Sequence, residues 1–360
     1  MHSVAPLIAE VLSFIAQDGC TDAQFDALAL RLFAHQYAAN GAYRAFCQGR
    51  GTTPRSVRAW SDIPPVPIDA FKAQELRCEP AAPGERVFMT SGTTRGDTRG
   101  RHFHPRLDVY DLSMERNFAR RFMHGQARMP MGILFPDEDA MPNSSLAHYL
   151  ALAKSTFGAP GSRYFLGPQG TDWDGLWEAL QSAERTGTPY ALLGASYSFV
   201  HLMDALRAQG RTFRLPPGSR LLDTGGYKGQ SRELPLEAFY AELSQALGVP
   251  REHCINMYGM TELSTQFYDG GNAVVPSVKS GPHWIRSRLV DPATGRDVPA
   301  GERGILVHCD LANVNSVTTI LTEDVGLWAE GGFLLLGRAE GAQAKGCSLA
   351  VDEFMRATAA

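Results

Sequence analysis

The stretch from Tyr190 to Gly259 repeats one rhythm, and that rhythm restricts the fold more than any other feature. "YALLG" (190–194) is a short apolar run, and "YSFVHLMDALRAQG" predicts a helix closed by Gly210. "RLLDTGG" (220–226) predicts a strand, "LEAFYAELSQALG" a helix closed by Gly248 with Pro250 beyond, and "CINMYG" (254–259) a third strand. Strands separated by helices of this length pair in parallel and carry the helices on their faces. After about residue 280 the texture changes. "RGILVHCD", "SVTTILT" and "GLWAEGGFLLLGR" alternate in polarity and turn at glycines, as antiparallel strands do. The fold class is therefore α/β, with parallel sheets and helices followed by a β-rich C-terminal portion. Ligands of open α/β sheets bind at the carboxyl ends of the strands.

Outside this region, "TDAQFDALALRLFAHQYAA" (21–39) predicts a helix opened by Thr21 with Gln24 completing a capping box. The N-terminal segment places Leu7, Ile8, Val11, Leu12 and Ile15 on roughly one face of an amphipathic helix. It lacks a basic leader, which argues against a signal peptide. The proline-rich run 52–68 is expected to wrap over the surface. A formal net charge of −4 excludes a nucleic-acid binder acting through bulk electrostatics. No apolar run approaches the ~18 residues of a membrane span, so a cytoplasmic protein is expected. Six cysteines lie far apart with no C-x-x-C, which excludes the usual zinc and disulfide patterns. Cys254 and Cys309, inside apolar strands, read as structural.

The chemistry-bearing segments sit where strands end. "FMTSGTTRGDTRGRHFH" (88–104) runs from a strand into Thr90, Ser91, Gly92, Thr93 and Thr94, with Arg95, Arg99 and Arg101 behind. Backbone N–H groups, hydroxyls and small side chains in such a loop can surround an anion. The spacing and lysine of a Walker A loop are missing. His102 and His104 are half of a metal site and read as strand or loop. "DTGGYKG" (223–229) pairs Gly225 and Gly226, where a flat ring can lie against backbone. "MYGMTEL" (257–263) supplies Tyr258, Gly259, Thr261 and Glu262. "TEDVG" (322–326) sets Asp324 in a predicted turn, and "LLGR" (335–338) ends on Arg338.

This series, in this order, resembles the adenylate-forming superfamily over roughly residues 86–349. The resemblance implies ATP and Mg²⁺ as cofactors. Thr90 and Ser91 to Thr94 would hold the departing pyrophosphate, and Gly225 and Gly226 would border the adenine, with Tyr258 and Gly259 beside it. Thr261 would touch the α-phosphate, Glu262 would hold Mg²⁺, and Asp324 would accept the ribose hydroxyls next to Arg338. The lysine that usually closes the phosphate loop is absent; Arg95, Arg99 or Arg101 is expected to replace it. Full-length members carry a mobile domain of about a hundred residues after the arginine. Here 22 residues follow, "AEGAQAKGCSLAVDEFMRATAA". The domains are thus expected as an acyl-activating body, 1–338, and a short tail, 339–360, without the full mobile domain.

"TGGYKG", "NMYGMTEL", "LTEDVG" and the final "KGCSL" look like one branch in particular, the acyl-protein synthetases of bacterial bioluminescence (LuxE-like luciferin-component ligases). That resemblance implies activation of a fatty acid as the acyl-adenylate, transfer to Cys347, and onward transfer to a partner acyl reductase. "PNSSLAHYL" (142–150) and "LLGASYSFVHLMDAL" (192–206) would help line the acyl tunnel. Lys345 is expected to share a strand face with Cys347 and to favour its thiolate. Two alternatives stand beside this reading. In one, the acyl group passes directly to CoA or a carrier protein; in the other, the chain is a non-catalytic binder of nucleotide or acyl ligand.

Overall fold

The computed structural model describes residues 4–90, 98–227 and 229–358. It divides into two units. One is built from the chain up to Arg116, Met260–Thr265 and the chain from Ser280 on; the other comprises Asn117–Gly259 and Gln266–Lys279.

The second unit holds the alternating segment. Its sheet runs, edge to edge, Phe267–Tyr268, Cys254–Tyr258, Arg220–Thr224, Ala191–Ala195, Met131–Leu134 and Arg163–Tyr164. All neighbours are parallel except the first pair. Helices Trp173–Thr186, Ser196–Ala208 and Leu236–Leu247 bury Leu180, Phe199, Leu206 and Leu243 in one apolar cluster with Leu192 and Leu221 of the strands. Gly248 ends its helix at φ +67°, and a Cβ there would fall 2.8 Å from Arg214 Cα. Only glycine fits both constraints.

In the first unit, strands Ile285–Val290, Arg303–Asp310, Thr319–Ala329 and Gly332–Arg338 form the expected antiparallel meander. Helices Ala5–Ile15, Asp22–Ala39 and Gly41–Gly49 pack their apolar sides inward. The Thr21–Gln24 capping box is present, each side chain accepting from the other's backbone N–H. No helix among the described residues is long and apolar enough to cross a membrane.

Three expectations need correction. Residues 322–326 are not a turn: Thr319–Ala329 is one continuous strand whose register slips between Val325 and Gly326, so Asp324 lies in a ladder opposite Arg338. Its polar residues imitate a turn because a bulge accommodates them. The proline-rich run does not stay on the surface. Ile63, Val66 and Ile68 are buried, and Val66–Pro67 adds a short parallel strand beside Ile320 and Leu321. The tail is not a strand but a helix, Gly341–Thr358; the Lys345 side chain, expected to share a strand face with Cys347, lies outside what the structure describes.

One buried carboxylate ties the meander to Met260–Thr265. Asp310, wholly buried, accepts from the Ser264, Thr265 and Ala312 N–H groups at 3.0, 2.8 and 3.0 Å and from Thr265 Oγ1 at 2.7 Å. Asp310→Ala leaves the Thr265 and Ala312 N–H groups without an acceptor, while Ser264 N–H keeps Asn313 Oδ1 at 2.9 Å, and is expected to lower unfolding free energy by at least about 2 kcal/mol. Urea denaturation measures this; a loss below about 1 kcal/mol removes Asp310 from that role.

Candidate active site

In the first unit the opening loop is closed at its neck. Thr90 N–H donates to Gly100 O at 3.0 Å and Gly100 N–H donates to Thr90 Oγ1 at 2.9 Å, extending the pairing of Arg86–Met89 with Arg101–His104. Ser91, Gly92, Thr93, Thr94 and Arg95 lie outside the described residues. Arg101 is already paired, with Glu75 at 3.2 Å. His102 and His104 belong to the strand. Burial pushes the His102 imidazole down to about 4, so the ring is neutral and its Nδ1–H donates to Thr261 O at 2.9 Å. This bond fixes the peptide after Thr261.

Glu262 is held from several directions. Asn313 Nδ2 donates to its carbonyl at 2.8 Å, and the next residue but one is gripped by Asp310. Its carboxyl is 5% exposed, and burial pushes it up to about 7. Its own backbone N–H opposes that rise, as do the charges of Arg338 and Lys72, while Asp324 adds to it. A Cβ on Gly100 would stand 3.2 Å from Glu262 Oε1 and 3.1 Å from Thr90 Cγ2, so glycine there lets the loop neck approach the carboxylate.

Asp324 and Arg338 face each other across the ladder, Arg338 Nη1 3.5 Å from Asp324 Oδ1 and Nη2 3.4 Å from Glu323 Oε2. Two residues earlier, Thr322 O accepts a long contact from the Cys347 thiol at 3.9 Å. Thr90, Thr261, Glu262, Asp324, Arg338 and Cys347 thus all belong to the first unit, and the last three meet along one strand. Cys347 is 4% exposed. Burial pushes its thiol up to about 11, with Glu323 adding to the effect and Arg338 opposing it. The sulfur is therefore a protonated thiol in this arrangement, contrary to the expected thiolate. Gly346 has a packing reason: a Cβ there would meet Pro292 Cγ at 2.9 Å.

The second unit carries Gly225, Gly226, Tyr258 and Gly259 at neighbouring strand ends. Gly225 takes φ +72°, and Tyr258 is buried with its ring tilted against Phe267, centroids 5.8 Å apart. Thr224 Oγ1 donates to Met257 O, joining the two strand ends. Beneath them is a network that the motifs did not reveal. Asp223 accepts from Ser196 Oγ at 2.7 Å, Tyr240 OH at 2.9 Å and Asn256 Nδ2 at 2.9 Å, and the Ser196 hydroxyl also lies 2.9 Å from Gly225 O. Burial pushes the Asp223 carboxyl up and these donors pull it back. An aspartate inside the apolar "RLLD" was the available signal. Lys72, whose Nζ pairs with Asp69 at 2.7 Å, carries no local mark that would single it out.

Among the described residues no group of three or more His, Cys, Asp or Glu side chains is arranged to hold a metal ion. Glu262 fits a cation that takes most of its ligands elsewhere. A buried carboxyl poised near neutrality ionises readily beside a positive charge, and Mg²⁺ characteristically combines one or two carboxylates with phosphate oxygens and water.

The family model for acyl-protein synthetase, LuxE, matches residues 9–356. The chain belongs to that family. It is similar to the long-chain-fatty-acid–luciferin-component ligase of Vibrio harveyi, 23% identical over 303 residues that span 83% of this chain and 77% of the relative. The enzyme of the same name from Aliivibrio fischeri is 22% identical over 85% of this chain and 79% of its own. Among solved structures, 2-hydroxyisobutyryl-CoA ligase in complex with 2-HIB-AMP superposes with a TM-score of 0.62 at 16% identity, covering 93% of this chain and 74% of that one. ATP-bound MatB from Rhodopseudomonas palustris gives 0.52 at 18% identity over 70% of this chain; the match spans 47% of MatB. The fold is that of adenylate-forming enzymes, and this LuxE-family chain is an AMP-forming ligase.

The pH dependence of stability tests the buried carboxyl. An unfolded glutamate ionises near its ordinary value, whereas folded Glu262 holds its proton up to about pH 7. The folded state therefore loses stability relative to a neutral side chain as pH rises from about 4.5 to 7. Glu262→Gln is expected to match wild type near pH 4 and to exceed it by up to roughly 3 kcal/mol at pH 8. Thermal unfolding across that range checks the sign. Parallel curves would mean that the carboxyl is not buried as described.

Proposed function

We propose that the protein activates a carboxylic acid, a long-chain fatty acid by analogy with its named relatives, and passes the acyl group to its own Cys347. In the first step a carboxylate oxygen attacks the α-phosphorus of ATP and pyrophosphate leaves. Two anions must approach each other, so the residues' task is to neutralise charge and hold the reactants in line. Thr90 to Thr94 are assigned to the pyrophosphate and Thr261 to the α-phosphate. Gly225, Gly226, Tyr258 and Gly259 are assigned to the adenine, and Asp324 with Arg338 to the ribose. Glu262 would hold Mg²⁺, which when bound supplies charge neutralisation on the phosphates.

In the second step the Cys347 sulfur bonds to the acyl carbon, the bond to the adenylate oxygen breaks, and AMP departs with the electron pair. The thiol proton goes to solvent. The acyl group then passes to a thiol of a partner, an acyl reductase in this reading. Residues 1–338 are read as the activating body and 339–360 as the tail that carries the acceptor.

The observation that carries this reading is the position of the Cys347 thiol, 3.9 Å from Thr322 O on the strand that bears Asp324. A nucleophile in the tail is thereby next to the residues assigned to the nucleotide. A second reading has one observation in its favour: a buried thiol held near 11 is a poor nucleophile at neutral pH. In that reading CoA or a carrier-protein thiol takes the acyl group directly.

Intact-chain mass spectrometry after incubation with ATP, Mg²⁺ and fatty acid separates them. Wild type is expected to gain one acyl mass, removable by hydroxylamine. Cys347→Ser is expected to gain none while keeping ATP–pyrophosphate exchange, because a serine hydroxyl without a base is a poor nucleophile. Acylated CoA or carrier with no acyl-enzyme would establish the second reading.

Asp324→Ala is expected to raise the KM for ATP at least about tenfold, since each charge-assisted hydrogen bond to a ribose hydroxyl contributes roughly 1.5–3 kcal/mol. The KM for the acid should change little. The reverse pattern would assign this strand to the other substrate.

A further inference from the structure

The tail helix packs tightly on the meander at Gly346, against Pro292, and stands off it farther along, beside Leu349 and Ala350. Between them is a cavity of about 250 Å³ whose apolar wall includes Val290, Val307, Leu321, Leu349 and Ala350. Four of these five, all but Leu349, share one buried cluster with Cys347. Cys347 and Ala350 are three residues apart in the helix and so lie on one face, toward the sheet surface that forms the cavity's other wall. Its apolar wall lacks packing partners on the open side, which a second apolar body would supply.

The geometry points to this cavity as the storage site for the acyl chain of the Cys347 thioester. The inference rests on the acceptor role proposed for Cys347. The charge at the rim selects such an occupant over the free acid. Arg50 donates from Nε and Nη2 to the two carboxylate oxygens of Glu353 at 2.7 and 2.6 Å. Arg288 donates to Asp297 at 2.7 Å and to Ser61 O at 2.5 Å. Both guanidinium charges are matched within the protein, so the rim offers a free carboxylate no uncompensated cation. A thioester is neutral and needs none.

Size sets a second limit. A dry cavity of about 150 Å³ takes a six-carbon ring, so this one holds roughly ten carbon atoms. Leu349, 60% exposed at the rim, offers an apolar path outward for a longer chain. A chain seated this way keeps the helix docked and its thioester away from water until a second thiol attacks.

The test follows the lifetime of the acyl-enzyme. The full chain is loaded from preformed acyl-adenylates of hexanoic, octanoic, decanoic, dodecanoic and tetradecanoic acid, and loss of acyl mass is timed on the intact protein. In wild type the lifetime is expected to lengthen with each added carbon pair up to decanoyl and then to level off. Ala350→Phe fills the cavity from the helix, and Ala293→Trp obstructs it from the 291–296 loop. Both should shorten the decanoyl lifetime at least several-fold, to near the hexanoyl value, with ATP–pyrophosphate exchange unchanged. If wild type acquires no acyl mass from any adenylate, the acceptor role fails and this inference with it. If Cys347 is acylated but its lifetime is independent of chain length, or is unaltered in a folded Ala293→Trp protein, the cavity does not hold the chain while the acceptor role stands.

Discussion

The carboxylate of Asp310 organises the first unit. Four donors converge on it, three of them backbone N–H groups in two separate segments. It shares the hold on Met260–Thr265 with His102, which donates to Thr261 O, and Asn313, which donates to Glu262 O. With it, Thr265 is placed for the Ser113 hydroxyl at 3.0 Å and the Trp284 indole N–H at 3.1 Å, and Asn313 for the Glu262 carbonyl. Burial alone would make this carboxylate costly, and it is pushed up to about 6, with the Thr265 hydroxyl and the backbone donors limiting the rise. A fully satisfied buried acid of this kind gives a loop one geometry where an apolar contact would allow several.

Glu262 and Cys347 share a physical situation. Both are buried, and in both burial favours the uncharged form, to about 7 for the carboxyl and about 11 for the thiol. Neither is in the charge state its proposed work requires. The carboxyl acquires its charge when a cation is brought to it. A thiol gains nucleophilicity when it is exposed or an opposing charge reaches it. The neighbours that modulate both overlap: Arg338 lowers each, while Asp324 raises the first and Glu323 the second. A change in the position of Arg338 would therefore move both groups together.

The tail is anchored by contacts that are individually modest. Phe354 is buried with its ring 5.0 Å from Phe46, and Arg50 pairs with Glu353. A Cβ on Gly49 would stand 3.5 Å from that of Ala357, so the two helices approach to ordinary van der Waals contact there. Gly341, at φ +57°, begins the helix directly after the last strand. Together with the burial of Cys347 and Ala350, these contacts hold the thiol beside Thr322.

The order of elements was legible in the sequence because strand, helix and closing glycine are local signals. The parallel sheet from Ala191 to Tyr258, the cap at Thr21 and the αL glycine at 248 follow from residues within a few positions of one another. The candidate motifs were legible as types: glycines and hydroxyls after strands, and an acid after a tyrosine and glycine. What their spacing left open was decided by contacts distant in sequence. Asp324 resembles a turn residue because polar and small residues cluster around it, and only pairing with Arg338 across a bulged ladder makes it a strand residue. The tail resembles an extended segment because Gly-Cys-Ser has low helix propensity, and packing of Phe354 on Phe46 overrides it. Lys72 and Asp310 carry no motif, and Asp223 opens one without showing its role; the partners of each are brought to it by the fold. Charge states belong to the same class. The sequence alone determined which groups can ionise; burial in the tertiary structure decided that Glu262 and Cys347 rest uncharged, because desolvation depends on everything packed around them.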